Sequence, residues 1–327
     1  MRLIHSVFAA LALATLPLAV SAQAAAPAGY PSKPIRLIVP YAAGGLPDSV
    51  ARTVAQRLTE RMGQSEVIDN RPGGNGVIAY QVLQQSTPSD GHVFIVSDGS
   101  MLSITPLVNR QVPYQVGKDI LPVSLIARSP LFVVAHPKTG VTNFQQFIDL
   151  VKSKPDEFTY GSSGIGSTHH LTMEALKAAL DLKVRHVPFR GSGQSTPALV
   201  GGQVEFSVSA LPSMAGFVKA GQVRILASNA ARRSAQAPDV PAIAERVPGF
   251  DFAVVIGAMA ASGTPQWAID RLAAEIAEVV KMPEVIRTFD AAVIDPVGAG
   301  PSEYGKVIAR ENELMARAAK VADLKAE

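Results

Sequence analysis

From Tyr30 onward, short apolar runs alternate with stretches of helical periodicity, and that alternation restricts the chain to an α/β fold. Ile35–Pro40 (IRLIVP) has the length and character of a buried strand. The next segment, Asp48–Met62, spaces Val50, Val54, Leu58 and Met62 by four, which makes one apolar stripe on a helix. Gly63 stops that helix, and Arg57 and Arg61 stand in its last turns, where the macrodipole favours cations. Further strands are predicted at Val67–Asp69, Val93–Ser97, Val123–Ala127, Leu131–His136, Phe158–Ser162, Val184–Phe189, Val204–Ser209, Arg224–Ser228 and Phe252–Met259. Helices are predicted near Ile78–Gln85, over Asn143–Lys152, His169–Leu180, Thr196–Val200, Met214–Lys219 and Pro265–Val280, and from Ser302 on.

Parallel strands need crossover helices, so this order predicts mainly parallel sheets. A chain of 327 residues is long for one sheet, and two are expected. Val123–Ala127 and Arg224–Asn229 are the candidate crossings, giving one lobe of residues 25–125 plus 230–327 and another of 126–229. No repeat of 20–50 residues is visible, which excludes solenoids and propellers.

The N-terminus reads as a signal peptide over residues 1–24. Met1-Arg2 is positive, Val7–Val20 is apolar, and small residues follow to a cleavage point near Ala22–Ala24. The run is too short, and too interrupted by Pro17, for a membrane span. The mature chain is expected to be exported to the periplasm and soluble. Zero cysteine excludes disulfides, thiolate metal sites, a cysteine nucleophile and a lipid anchor. The balance of 30 Lys+Arg against 27 Asp+Glu contains no basic block, so nucleic acid is not an expected partner.

Two glycine-rich strand-to-helix turns are the most informative local features: Pro40–Asp48 (PYAAGGLPD) and Gly161–Thr168 (GSSGIGST). Glycine lets backbone approach a ligand closely, and the helix that follows presents unpaired N–H groups at the positive end of its dipole. Ser162, Ser163, Ser167 and Thr168 add hydroxyls, so each turn suits a carboxylate or oxyanion. Tight turns and helix caps explain the same residues without a ligand. Arg190, after a strand, either reaches a cleft to pair with a carboxylate or is a surface arginine. Asp48 reads more readily as a first-turn helix residue than as an anion contact. His169 or His170 either donates to a ligand or caps its helix; as helix neighbours they cannot share one metal. Neither a metal nor a cofactor is expected. Asp90-Gly91, Asn229-Ala230 and Pro248-Gly249 read as turns alone, and Arg232-Arg233 as solvated surface.

Catalytic motifs do not complete. G-x-S-x-G fails at Ile165, no phosphate-loop signature exists, and the dinucleotide fingerprint breaks at His169 and Thr196. An exported hydrolase using Ser163 or Ser167 with His169 or His170 stays as an alternative, as does a sensor that presents a ligand to a signalling partner.

Tyr30–Pro40 (YPSKPIRLIVP), Ala43-Gly44-Gly45 with Asp48, and Asn70-Arg71-Pro72-Gly73 resemble the periplasmic solute-binding proteins of tripartite tricarboxylate transporters, the Bordetella uptake gene family. Asp90-Gly91, Pro122–Leu125, Tyr160–Ser162, Gly166–Thr168 with His170-Leu171, His186–Phe189, Gly201–Val204, Pro238–Pro241 and Gly263–Pro265 continue the match in order. The resemblance implies a two-lobed periplasmic binding protein of type II, a Venus flytrap with a hinge. It would close over a small carboxylate and deliver it, as a monomer, to integral-membrane transporter subunits. It also implies carboxylate binding by the loops at Tyr41–Gly45 and Ser162–Thr168, through amides, hydroxyls and water. The candidate ligand-binding set is Tyr41, Ala43, Gly44, Gly45, Asp48, Ser97, Ser162, Ser163, Gly164, Ser167, Thr168, His169, Arg190, Gly191, Ser192 and Ser209.

Departures from the family pattern bear on the ligand. Relatives often carry Asp before Leu-Pro-Ser, where this chain has Ser209-Ala210 before Leu211-Pro212-Ser213. A neutral Ser209 removes a partner for an ammonium group, so the expected ligand is a dicarboxylate without an amine, aromatic such as terephthalate or aliphatic C4–C6. His169, often small and polar in relatives, would help hold one end; Arg190, often Lys, keeps the charge.

Overall fold

The computed structural model describes residue 27 and residues 29–86, 90–321 and 324; the predicted signal peptide lies outside the described residues. Eleven strands among them form two sheets. The first contains β1 (Ile35–Val39), β2 (Glu66–Asn70), β3 (Val93–Asp98), β4 (Ile120–Ser129), β10 (Val254–Ala261) and β11 (Asp295–Ala299), in the order β11-β4-β10-β3-β1-β2. The second contains β5 (Phe132–Ala135), β6 (Thr159–Ser162), β7 (Arg185–Pro188), β8 (Phe206–Ser209) and β9 (Arg224–Ser228), in the order β7-β6-β8-β5-β9.

The expected parallel pairing holds for two of the five strand pairs in the first sheet and two of the four in the second. β1 pairs in parallel with β2 and β3, and β6 with β7 and β8. The remaining pairs are antiparallel, so both sheets are mixed. The reason is the crossing. β4 runs out of the first sheet through Pro130 and Leu131 into β5, and the chain returns from β9 to β10. Adjacent outbound and inbound strands must run in opposite directions, whatever the βαβ units around them do.

The helices are α1 (Leu46–Met62), α2 (Val77–Gln84), α3 (Thr105–Val108), α4 (Phe144–Ser153), α5 (Thr168–Leu180), α6 (Ser192–Val200), α7 (Leu211–Lys219), α8 (Gln266–Val279), α9 (Pro283–Ala291) and α10 (Pro301–Val321). Sequence reading anticipated neither α9 nor β11. Pro296 and Gly298 argue against a strand, and β11 accommodates them because it lies at a sheet edge with an irregular register.

Caps set where the site-bearing helices begin and end. Gly63 closes α1 in the left-handed region with its N–H on Thr59 O at 3.1 Å. At the start of α5, Ser167 Oγ accepts the His170 N–H at 3.2 Å. Strand alternation divides the core: Val133 and Ala135 face the main cluster with Phe147 and Phe206, while Phe132 and Val134 face a second cluster with Leu199 and Met214. α10 packs on β4 of the first sheet and on α5 of the second, tying both halves together.

Candidate functional site

Both glycine-rich turns reach the seam between the sheets and face each other there. A cavity of about 600 Å³ opens between them. Pro40–Ala42, Pro72–Asn75 and Ile78 line it from the first-sheet side; Ser163, Gly164, Phe189–Gly191 and Gln194 line it from the other. Apolar walls (Pro40, Pro72, Ile78, Phe189) surround a few polar groups, with one guanidinium, Arg190, and no carboxylate among the lining residues.

Three sets of hydrogen bonds join the two sides. Asn75 Nδ2 donates to Ile165 O at 2.6 Å, and Ser213 Oγ donates to Gly44 O at 3.4 Å. Ser100 Oγ and Thr168 Oγ1 are 3.0 Å apart, with the Thr168 N–H on Ser100 Oγ at 3.3 Å. Glycine permits the approach. A Cβ on Gly45 would sit 3.3 Å from Ser192 Oγ, and one on Gly166 only 2.8 Å from Val108 Cγ2. The seam is closed, leaving the cavity between the walls.

The first turn brings Tyr41 to the cavity wall, with its hydroxyl donating to Asp98 Oδ1 at 2.6 Å. Ala43, Gly44 and Gly45 follow along the seam, where Ala43 O faces Gly193 and Gly45 faces Ser192. Asp48 does not face the cavity. Its carboxylate takes the Gly44 N–H at 2.9 Å, Asn70 Nδ2 at 2.9 Å and Arg52 Nε at 3.0 Å. Burial works to raise its pKa, but the bonds from Arg52, Gly44 and Asn70 hold it below the ordinary value. Asp48 is thus a brace that fixes the turn's shape, and its charge is neutralised before an incoming anion meets it.

On the facing turn, Ser163 and Gly164 line the cavity, and Ser163 Oγ is buried without a hydrogen-bond partner. Ser162 lies behind them, 2.6 Å from His186 Nε2, and accepts the Gly164 N–H at 3.0 Å. Ser167 Oγ donates to Gly164 O at 2.7 Å besides capping α5. Thr168 belongs to the seam contact with Ser100. His169 is buried, its Nδ1 has no partner, and burial takes its pKa down to about 4, which keeps the ring neutral at pH 7. An orphaned polar atom in the core is costly, so Ser163 Oγ and His169 Nδ1 are groups that a ligand or water would satisfy.

Arg190 is exposed at the rim, Gly191 lines the wall, and Ser192 Oγ lies 3.1 Å from Ser213 Oγ. Of the sixteen expected contacts, Tyr41, Ser163, Gly164, Arg190 and Gly191 line this cavity, and the other eleven stand along the seam or behind the lining. Ser97 is buried inside the first sheet opposite Gly257, and Ser209 is buried in β8 with Thr196 Oγ1 at 3.4 Å. The inference drawn from Ser209 therefore moves to the cavity wall itself, where no acid stands to meet an ammonium group. None of the four serine–histidine pairings of the hydrolase alternative is among the hydrogen bonds: Ser163 Oγ and His169 Nδ1 are unpartnered, Ser167 Oγ bonds Gly164 O and the His170 N–H, and His170 Nδ1 accepts from Gly166.

Sequence reading passed over three residues that the structure makes central. Asn75 stood in a turn-rich segment; its left-handed backbone, φ 46°, carries it across the seam. Ser100 begins a π-helical turn, Ser100–Ile104. Asn229 was read as a turn residue and is fully buried between the two crossings. It accepts the Leu131 N–H at 2.7 Å and donates to Phe252 O at 2.6 Å and to Thr172 Oγ1 at 3.2 Å.

Two linked α/β sheets enclosing a cavity at their seam define a two-lobed solute-binding protein of the periplasmic type. The chain belongs to the tripartite tricarboxylate transporter receptor family, whose model matches residues 50–323. It is 32% identical over 284 residues to the protein BugT of Bordetella pertussis, covering 86% of this chain and 87% of BugT. Among solved structures it is similar to R. palustris Rpa4515 with adipate, at 31% identity and TM-score 0.88, over 91% of this chain and 100% of that one. It is also similar to MatC from Rhodopseudomonas palustris with bound malate, at 26% identity and TM-score 0.80, over 90% of this chain and 100% of that one.

Proposed function

We propose that this receptor captures a dicarboxylate without an amine, aromatic such as terephthalate or aliphatic C4–C6, and hands it to the integral-membrane subunits of a tripartite tricarboxylate-type transporter. The cavity wall carries the proposal: the unpartnered Ser163 hydroxyl, one guanidinium at Arg190, apolar sides, and no carboxylate among the lining residues. Such a lining suits an anion with a hydrocarbon middle and leaves an ammonium group unpaired, a costly state in a buried site. Relatives with adipate and with malate fit the same size class. We further propose that the mature protein works in the periplasm as a monomer after cleavage near Ala22–Ala24, and that it binds without catalysis. We propose as lobes residues 25–125 with 230–327 and residues 126–229; the run of β4 over Ile120–Ser129 favours taking the first boundary at Pro130.

A thermal-shift and calorimetry panel of adipate, malate, terephthalate, citrate, glutamate and aspartate tests the reading. A ligand at 100 times its Kd stabilises by about 2.7 kcal/mol, so a diacid is expected to raise Tm by several degrees with the amino acids silent. Glutamate or aspartate outcompeting every simple diacid would overturn it.

A further inference from the structure

We propose that His170 and His186 are positioning residues that hold the loop Ser162–Ser167 in its anion-binding shape, and that the loop loosens when His170 takes up a proton. The proposal rests on reading that loop as one wall of the carboxylate site, and it adds a pH limit to binding.

The geometry fixes one tautomer. His170 Nδ1 accepts the Gly166 N–H at 3.2 Å, so Nδ1 carries a lone pair and the neutral ring carries its proton on Nε2. A proton on Nδ1 would set two donors against each other, and the Gly166 N–H would lose its partner. His186 stacks on His170 with centroids 4.0 Å apart and planes within 10°, and its Nε2 reaches Ser162 Oγ at 2.6 Å. Ser162 in turn accepts from Gly164. Two of the loop's backbone amides, Gly164 and Gly166, are therefore oriented through two imidazoles lying face to face. Both glycines have positive φ, so no local preference of an ordinary residue holds the loop in this form.

The surrounding charges limit protonation. Tyr160 covers the other face of His186 at 4.8 Å, and its hydroxyl donates to Glu174 Oε1 at 2.6 Å. Glu174 is 4.0 Å from His170 Nε2, but Lys177 Nζ holds the same carboxylate at 2.7 and 2.9 Å, which blunts its pull on the ring. Burial lowers the pKa of both histidines; for His170 the charge of Glu174 works upward and that of Lys177 downward, while for His186 the charges of His170 and Lys177 add to burial and take it down to about 3. A histidine held neutral in the native state costs stability as pH falls below its ordinary value near 6.5, and loosening the loop relieves that cost.

The test begins on the protein with no ligand added. Long-range ¹H–¹⁵N spectra of the histidine rings should show His170 Nδ1 unprotonated at pH 7.5. Amide exchange, corrected for intrinsic rate, should show Gly166 losing about tenfold protection in His170→Leu, the scale of one hydrogen bond. His170→Asn, whose Oδ1 can replace Nδ1 as acceptor, should restore protection and abolish its decline between pH 7.5 and 5.5. Adipate binding, referred to the free dianion at each pH, should follow the same pattern, weaker in His170→Leu and without further pH dependence in His170→Asn. A protonated Nδ1, or Gly166 equally protected in His170→Leu, would overturn the proposal. If no diacid binds the wild type, the carboxylate reading fails, while the ring spectra and exchange still decide the role of the histidines.

Discussion

Asn229→Ala should cost far more than a surface substitution, because one side chain clasps both crossings between the sheets. Its carboxamide takes the Leu131 N–H at 2.7 Å from the outbound crossing and gives to Phe252 O at 2.6 Å on the return. The residue is 0% exposed, so alanine leaves a backbone donor and a backbone acceptor without water to replace the partner. Each of the two buried orphans costs about 1–3 kcal/mol, giving a loss of about 2–6 kcal/mol. For a chain of this size that is a fall in Tm of about 3–9 °C. Calorimetry with denaturant unfolding measures it. Asn229→Asp sharpens the test: one carboxylate oxygen still accepts from Leu131, while the other faces Phe252 O with no proton to share. That variant should be at least as unstable as alanine at pH 7 and recover as pH falls, since its carboxyl stays protonated more readily folded than unfolded. An alanine variant within about 1 kcal/mol of wild type, or a stable aspartate variant at pH 7, would refute the clasp.

Gly45→Val should weaken diacid binding about tenfold or more with little change in Tm: the backbone there, φ −77°, tolerates a side chain, but the added carbons meet Ser192 Oγ across the seam. Unchanged affinity by calorimetry would show that the seam does not close as described. Ser213→Ala removes the bond to Gly44 O across the seam and should weaken all diacids by a common factor of about fivefold; a change in their ranking would contradict that. Glu311→Gln should flatten the alkaline side of the stability profile. Burial, then the charge of Asp98, pushes the Glu311 carboxyl up to about 8 from 4.5. The native state thus keeps a proton that the unfolded chain releases, and wild-type stability declines as pH rises from about 4.5 towards 8. Parallel Tm–pH curves for wild type and variant would remove Glu311 as the cause.

The regular elements were legible because hydrophobic period reports burial directly: Val50, Val54, Leu58 and Met62 are buried along α1 as their spacing requires. Pairing direction was less legible. The βαβ order predicts parallel neighbours, and it cannot show that β4 and β10 run side by side as exit and return. Glycine chemistry located both walls of the cavity, since a turn before a helix has to be built from backbone. Depth was invisible. Ser97 and Ser209 have the right residue type and the right neighbourhood in sequence, and both are buried outside the cavity lining. Asn229 shows the same limit from the other side, because its partners lie 98 and 23 residues away and no local pattern names them.

Closure and selectivity are divided between different atoms in this receptor, and that division explains how one scaffold can serve several ligands. The bonds of Ser100 with Thr168 and of Ser213 with Gly44 join protein to protein across the seam. They act only when the lobes meet and stay the same whichever ligand lies inside. Each contributes about 1 kcal/mol, so they scale every affinity through the population of the closed state. Discrimination has to come from groups that line the cavity, Ser163, Phe189, Arg190 and Gln194 on one wall and Pro72 and Ile78 on the other. A ligand shifts the lobes only by its preference for the closed form, and on the proposed function that preference would be set by whether it satisfies Ser163 and Arg190 without bringing an ammonium group to a wall that has no acid. Substitutions at the wall should therefore re-rank ligands, while substitutions at the seam move all of them together.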